Sequence, residues 1–440
     1  MTFRFGYTEA TILVVTAFLV LAMLFLPDYD RPPITSVQNG FRGTGMLQVY
    51  NPRTVLEEAA DHQPAEIAGL PPLVTAGPKA GDVYENVQVL GDLSTAQFLR
   101  LMTAITEWVA PVEGCAYCHE GNQFANDDIY AKRVSRWMIH MTRSINNDWA
   151  SHVLNSWDGT ADGAGVTCYT CHRGNNVPEY VWYLDPELIA ETSGNAPGLV
   201  GYRAGQNRPA EAPLLASLPA DPFSQHLRDV DGLNRDWIRV QSETALPLDN
   251  RASTKQTGLT YSLMMHMSGS LGVNCTYCHN SRAWGEWDQS TPQRTNAWYG
   301  IQMVQEINTL YIEPSAVALP QHRLGPVGDP AKVNCTTCHQ GVYKPLYGAN
   351  MLEDFPSLAQ PNEVDREVFL PGLGEAAVSE EIGRELEQAA VAPAATETPR
   401  AEAAPATEAA TETADAPAEA PADAAATDAA PAEGETAPAQ

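Results

Sequence analysis

Residues 263–280 read LMMHMSGSLGVNCTYCHN, three methionines and a histidine crowded just ahead of a Cys-x-x-Cys-His pentapeptide. The same pattern occurs three more times, and the four copies use all eight cysteines of the 440-residue chain: Cys115/Cys118, Cys168/Cys171, Cys275/Cys278 and Cys335/Cys338. Each pair runs directly into a histidine, namely His119, His172, His279 and His339. Two zinc sites of four cysteines each would also consume every thiol, but zinc has no use for a histidine after the second cysteine of every pair. A porphyrin does. Two thiols one helical turn apart can each form a thioether to one macrocycle, and the adjacent imidazole can then ligate the iron. Four motifs therefore imply four covalently bound c-type haems, with no cysteine left for a disulfide.

Haem attachment of this kind belongs outside the cytoplasm, so the chain needs an export signal. Residues 10–26, ATILVVTAFLVLAMLFL, carry no charge and sit at the short end of what spans a bilayer. A cleaved signal peptide is the rival reading, but no small-x-small site precedes Pro27 and Asp28, and no cysteine follows that a lipid could modify. The stretch reads as an uncleaved transmembrane anchor after a short cytoplasmic segment, residues 1–9. Arg4 is the only basic residue before it, so orientation comes from the haems, which put everything after residue 27 on the outer face.

The sixth ligand of each iron separates electron carriers from enzymes, since a catalytic haem keeps that position open. Before the first motif, Ser94 and Gln97 form a capping box, and Phe98, Met102, Ile105 and Val109 recur at helical spacing. Met102 lies thirteen residues before Cys115 on that inward face. Before the second motif, Val134, Met138, Met141 and Ile145 make one helical face, so two methionines compete for one iron. His140 points elsewhere as an ordinary polar residue, and His152 lies just beyond the helix. The opening stretch supplies the third case. A helix starting at the capping pair Ser253 and Gln256 places Thr260, Met264 and Met267 on one face, and Gly269 and Gly272 turn the chain back toward Cys275. Met264 is the expected ligand, with Met265, His266 and Met267 packing or facing solvent. The fourth motif breaks the pattern. Its helix starts at Thr291 and Pro292 with a stripe of Ala297, Ile301 and Val304, and its only methionine, Met303, lies off that stripe. His322, thirteen residues before Cys335, and His152 from the first half are both open as ligands.

GVTCYTCHRG, GVNCTYCHNS and KVNCTTCHQG are near copies, and the motifs pair with start-to-start separations of 53 residues (115 to 168) and 60 residues (275 to 335). The pattern predicts a mainly α multihaem fold of two pseudo-symmetric di-haem modules, residues 91–180 and 251–370, with much irregular chain. Residues 27–90 precede them and 181–250 connect them, the latter rich in Pro and Gly from 193 to 223. From 371 to 440 the chain turns to Ala/Pro/Glu/Thr repeats that cannot bury a core, so a disordered tail is expected. That tail carries 15 acidic and 2 basic residues, minus 13 of the total formal charge of minus 28.

With these motifs, QNGFRGTGM at 38–46, RVSRWMIHMTRSINNDW at 133–149 and STPQRTNAW at 290–298, the chain resembles the tetrahaem cytochrome subunit of purple-bacterial photosynthetic reaction centres over roughly residues 27–365. The resemblance implies Met102, Met138 and Met264 as sixth ligands of the first three haems and His152 for the fourth, with His322 on the surface. It implies a near-linear row of haems, the third closest to the bacteriochlorophyll special pair and the first most remote, with Arg294 near the third. It implies residues 27–90 as an extended periplasmic arm against the core subunits. The function it implies is relay of electrons from a soluble periplasmic donor, a cytochrome c or an iron-sulfur protein, to the photo-oxidised special pair. The location would be the bacterial inner (photosynthetic) membrane, single-pass, with the bulk of the chain periplasmic. Known members often carry a lipidated N-terminal cysteine, which this chain lacks. The acidic balance argues against nucleic acid and suits a basic donor. The rival class is a membrane-anchored multihaem quinol dehydrogenase, which relies more on histidine ligands than Met102, Met138 and Met264 suggest.

Overall fold

The computed structural model describes residues 6–25, 33–38, 47–64, 66–154, 164–185, 212–228, 238, 240 and 254–362. Residues 39–46 of QNGFRGTGM, most of the Pro/Gly-rich connection, Ser253 of the third capping pair and the 371–440 tail lie outside them. All the described residues belong to one compact unit within Met1–Gly383.

That unit is mainly helical with little sheet. Helix α1, Tyr7–Phe25, has 19 residues, a mean hydropathy of 2.2 and no buried side chain. At 1.5 Å per residue it measures about 28 Å, close to the hydrocarbon thickness of a bilayer. Within 27–90, expected as an extended arm, strands β1 (Thr35–Gln38) and β2 (Leu47–Tyr50) form an antiparallel ribbon with Thr35 opposite Tyr50. Helix α2, Pro52–His62, follows. None of its residues is fully buried; its start is fixed by Pro52 and by Asn51 Oδ1 accepting from the Arg53 amide at 3.0 Å. A single turn, α3 (Ala80–Val83), leads to Leu90 and Leu93, both 1 % exposed.

Helix α4, Thr95–Val109, begins with the expected capping box: Ser94 Oγ accepts from Gln97 N at 3.1 Å and Gln97 Oε1 from Ser94 N at 3.2 Å. Its fully buried residues are Leu101, Ala104 and Trp108, while Phe98, Met102, Ile105 and Val109 form a half-buried flank of the same cluster. The shift has a long-range cause. Leu352, Phe355 and Leu358, from the far end of the chain, pack on that face, with the Trp108 and Phe355 rings edge-to-face at 4.7 Å.

Helix α5, Tyr130–Asp148, runs between two apolar clusters, giving Ile139 to the one just described and Ile145 to a second. The second gathers Leu263 of α9 (Thr254–Leu271) with Ile301, Met303 and Val304 of α10 (Pro292–Glu306). It also takes in Phe223 of the short α8 (Phe223–His226), Trp182 of strand β3 (Val181–Trp182) and Val333 of β4 (Lys332–Val333). Strands β3 and β4 pair antiparallel, Val181 opposite Val333. Helix α10 starts as expected with Thr291 and Pro292 and continues into a π-turn at Ile307–Ile312. Met303, expected off the buried stripe, is 6 % exposed because α10 has core on two sides. His140, expected as an ordinary polar residue, is buried 6.0 Å from the Tyr311 ring, since the C-terminal half of α5 is covered nearly all round.

Candidate cofactor-binding site

The described cysteines form no disulfide, and among the described residues no group of three or more His, Cys, Asp or Glu side chains converges to hold a metal ion. The convergence that a four-cysteine zinc site needs is therefore absent there. Motifs one and three are 3-10 turns, Gly114–Tyr117 and Cys275–Tyr277; motifs two and four are single α turns, α7 (Cys168–His172) and α11 (Cys335–His339). Burial pushes the thiols of Cys168, Cys278 and Cys335 up to about 12 and that of Cys118 to about 11, so all four are neutral near pH 7.

Three of the four motif histidines are held by a backbone carbonyl at Nδ1. His172 Nδ1 bonds Asn175 O at 2.8 Å, His279 Nδ1 bonds Trp284 O at 3.1 Å and His339 Nδ1 bonds Val342 O at 3.0 Å. A carbonyl partner makes Nδ1 the protonated nitrogen and leaves the Nε2 lone pair for a metal. Burial lowers the pKa of all four, His339 to about 4 with help from nearby His152, so the rings are neutral as ligation demands.

His152, on the short α6 (Ala150–Val153), is brought to the fourth motif. Its ring centroid lies 6.5 Å from that of His339, about the separation of two imidazoles that share one metal at ~2.0 Å each. Its Nδ1 lies 3.0 Å from both the carbonyl and the side-chain Oδ1 of Asn296, and Gly300 lies beneath the ring. His322 is exposed on the 3-10 turn Gln321–Arg323, 6.5 Å from the Tyr130 ring. Met102 packs in the cluster that also takes in Cys168 and Tyr169; Met138, Met141, Met264 and Met267 pack against the second cluster, all half-buried. His266 packs edge-to-face on Phe223 at 4.6 Å. Arg294 stacks over Trp287 at 4.0 Å and donates to Glu286 O and Ser290 Oγ; after burial, its charge adds to the lowering at His279 and only partly opposes the rise at Cys278.

Motifs two and four are built alike. Each opens with a capping box (Thr167 with Thr170, Asn334 with Thr337) and ends in a left-handed residue, Arg173 at φ 45° or Gln340 at φ 48°. The next glycine amide then bonds the helix ahead of the preceding motif, Gly174 N to Trp108 O and Gly341 N to Ser270 O, both at 2.8 Å. Gly272 must be glycine: at φ +64°, a Cβ there would stand 2.0 Å from Gly341 O. The two halves meet at Cys171 and Cys338, whose sulfurs are 3.1 Å apart.

A porphyrin fits this set of groups. Arg173 Nε and Nη2, Trp149 Nε1 and Thr260 Oγ1 are buried and have no hydrogen-bond partner among the described residues, donors that a group bearing carboxylates could engage. The sequence reading missed Asn296 and Gly300, which cradle His152, and also Asn146 and Asn308. The last two carry a faint signal, a repeated Ile-Asn ahead of motifs two and four.

The family described as "Photosynthetic reaction centre cytochrome C subunit" matches residues 30–359. The photosynthetic reaction center cytochrome c subunit of Rubrivivax gelatinosus is 48% identical over 340 residues, 77% of this chain and 87% of the relative. That of Thermochromatium tepidum is 47% identical over 346 residues, 79% and 80% of the two chains. That of Roseobacter denitrificans is 42% identical over 332 residues, 74% and 85%.

Proposed function

The chain belongs to the photosynthetic reaction centre cytochrome c subunit family, and from that membership we propose that it carries four c-type haems in one row between a soluble donor and the special pair. Membership makes it an electron-transfer subunit rather than an enzyme, a c-type haem protein associated with the reaction-centre core and the photosynthetic membrane. The comparisons give no support to the quinol dehydrogenase alternative.

Bound haem supplies reversible one-electron exchange at iron. The chain supplies thioether attachment through its eight cysteines, proximal imidazoles from His119, His172, His279 and His339, and sixth ligands from Met102, Met138, Met264 and His152. Support for His152 comes from its 6.5 Å approach to His339, while His322 stays exposed. A thioether draws less density toward ferric iron than a second imidazole, so we read the His152–His339 site as a low-potential one placed between higher ones. The matching construction of motifs two and four supports descent of the two halves from one di-haem unit. The exposed apolar helix α1 supports a single membrane anchor with the rest of the chain periplasmic.

The observation that carries the relay is the Cys171–Cys338 contact. Helix α4, ahead of motif one, packs on α7, α7 on α11, and α11 on α9, ahead of motif three, which supports the order first, second, fourth and third. Haem quantitation per purified chain, with redox titration resolving each α-band, tests the reading. Four haems with the bis-histidine site at low potential is the expected result. Fewer than four haems, or a bis-histidine site with the highest potential, rejects it.

A further inference from the structure

Motifs one and three follow closely behind helices, and short-range bonds place them: Gly114 N donates to Ala110 O at 2.8 Å and Val273 N to Ser268 O at 3.0 Å. Motifs two and four have no such neighbour. Cys168 comes 15 residues after Val153, the last residue of α6, and Cys335 comes 12 residues after Arg323, the last of a 3-10 turn. Distant groups fix their position, the β3–β4 pairing at motif four and, in both cases, an asparagine.

Asn146, near the end of α5, pairs with Val166 as one strand pairs with another: its Nδ2 donates to Val166 O at 2.8 Å and its Oδ1 accepts from Val166 N at 2.8 Å. Asn308, in the π-turn after α10, does the same to Val333, with both bonds at 2.9 Å. The second Nδ2 proton goes to Leu358 O in one case and to Leu227 O in the other, each at 2.9 Å. Both donor protons and the acceptor are thus engaged, in residues 2 % and 0 % exposed. Val166 and Val333 each stand two residues ahead of their motif's first cysteine. The π-turn matters to this arrangement, because it re-aims a side chain that a regular helix would carry elsewhere.

The far ends of the two helices complete the relation. Helix α5 also bears Met138, eight residues before Asn146. Helix α10 bears Asn296 and Gly300, which hold His152, and Asn308 lies on its continuation. In each half one carboxamide joins a helix that bears the sixth ligand (α5, with Met138) or cradles it (α10, against His152) to the segment that leads into the fifth. We infer that Asn146 and Asn308 are paired positioning residues that set the gap between that helix and the histidine-bearing turn at the second and fourth haem sites, respectively; this rests on the ligand assignment above.

The experiment uses the full-length holoprotein in membranes. Asn146→Asp and Asn308→Asp keep the acceptor and remove both donors; Asn146→Ser and Asn308→Ser are smaller replacements that keep one donor. For each, haem per chain, the individual midpoint potentials and the near-infrared methionine-to-iron band are read. The expected result is site-specific. N146D shifts only the second haem's potential and removes about one third of the methionine band, one of three such sites; N308D shifts only the fourth and leaves that band intact. Each serine variant should give a smaller shift at the same site. Shifts common to all four haems, an effect on the wrong haem, unchanged potentials, or loss of all four haems together in the aspartate and serine variants alike would overturn the inference. Met138→His and His152→Met run alongside. If neither alters its own haem's spectrum the ligand assignment fails, an outcome separate from failure of the asparagines.

Discussion

Gly300→Ala puts one methyl group against the ring that we assign as the fourth haem's sixth ligand. The new Cβ would stand 2.7 Å from His152 Cε1 and 3.1 Å from Nε2. Ordinary carbon contacts begin near 3.5 Å, so the ring must retreat by about 0.8 Å. It cannot simply tilt, because Nδ1 is held at 3.0 Å by both oxygens of Asn296. Metal–ligand distances tolerate only about 0.2 Å, so the retreat breaks or severely lengthens the bond at Nε2. The fold itself should survive. Overpacking costs about 1–3 kcal/mol, while alanine in mid-helix recovers roughly 1 kcal/mol over glycine. The assay is electron paramagnetic resonance and visible spectroscopy of the ferric holoprotein, with haem content measured on the same sample. One haem of the four should turn high-spin while the other three are unchanged. Four low-spin haems with all four potentials unperturbed would refute the assignment of His152.

Arg143, 1 % exposed, donates to Ser357 O at 3.0 Å and Val89 O at 3.1 Å and pairs with Asp92 at 3.4 Å. Arg143→Met strands that carboxylate and should cost about 3–5 kcal/mol in thermal unfolding; a loss below about 1 kcal/mol would show that the guanidinium is not the tie between α5 and residues 351–359. Burial lowers the pKa values of His226 and His266 to about 4. The unfolded chain then binds more protons below pH 6.5, so their contribution is complete above pH 6.5 and is lost as pH falls toward 4. The slope is about 1.4 kcal/mol per unit per histidine, and a His226→Gln/His266→Gln double variant should flatten it in melting curves from pH 7 to 4.5. Deleting residues 384–440, whose composition buries no core, should leave haem content and melting temperature unchanged, and a lowered melting temperature would contradict that.

The attachment motifs were legible because their chemistry is confined to five consecutive residues. The capping box at Ser94 and the helix start at Thr291–Pro292 were legible for the same reason. Which face of α4 is buried was not, since Phe355 and Leu358 arrive from some 250 residues away and select Leu101 and Trp108 over Phe98 and Met102. The choice between His152 and His322 was likewise a matter of tertiary approach, as neither histidine is marked out by its local sequence. Asn146 and Asn308 look like late-helix polar residues until the strands they pair with are in view.

The central claim is that this chain delivers electrons to the reaction centre's special pair, and flash-induced absorbance in intact membranes tests it most directly. Haem oxidation should mirror re-reduction of the oxidised pair in time and amplitude, with the haems then recovering from the soluble donor more slowly at higher salt. Haems that stay reduced while the pair recovers by another route would contradict the account.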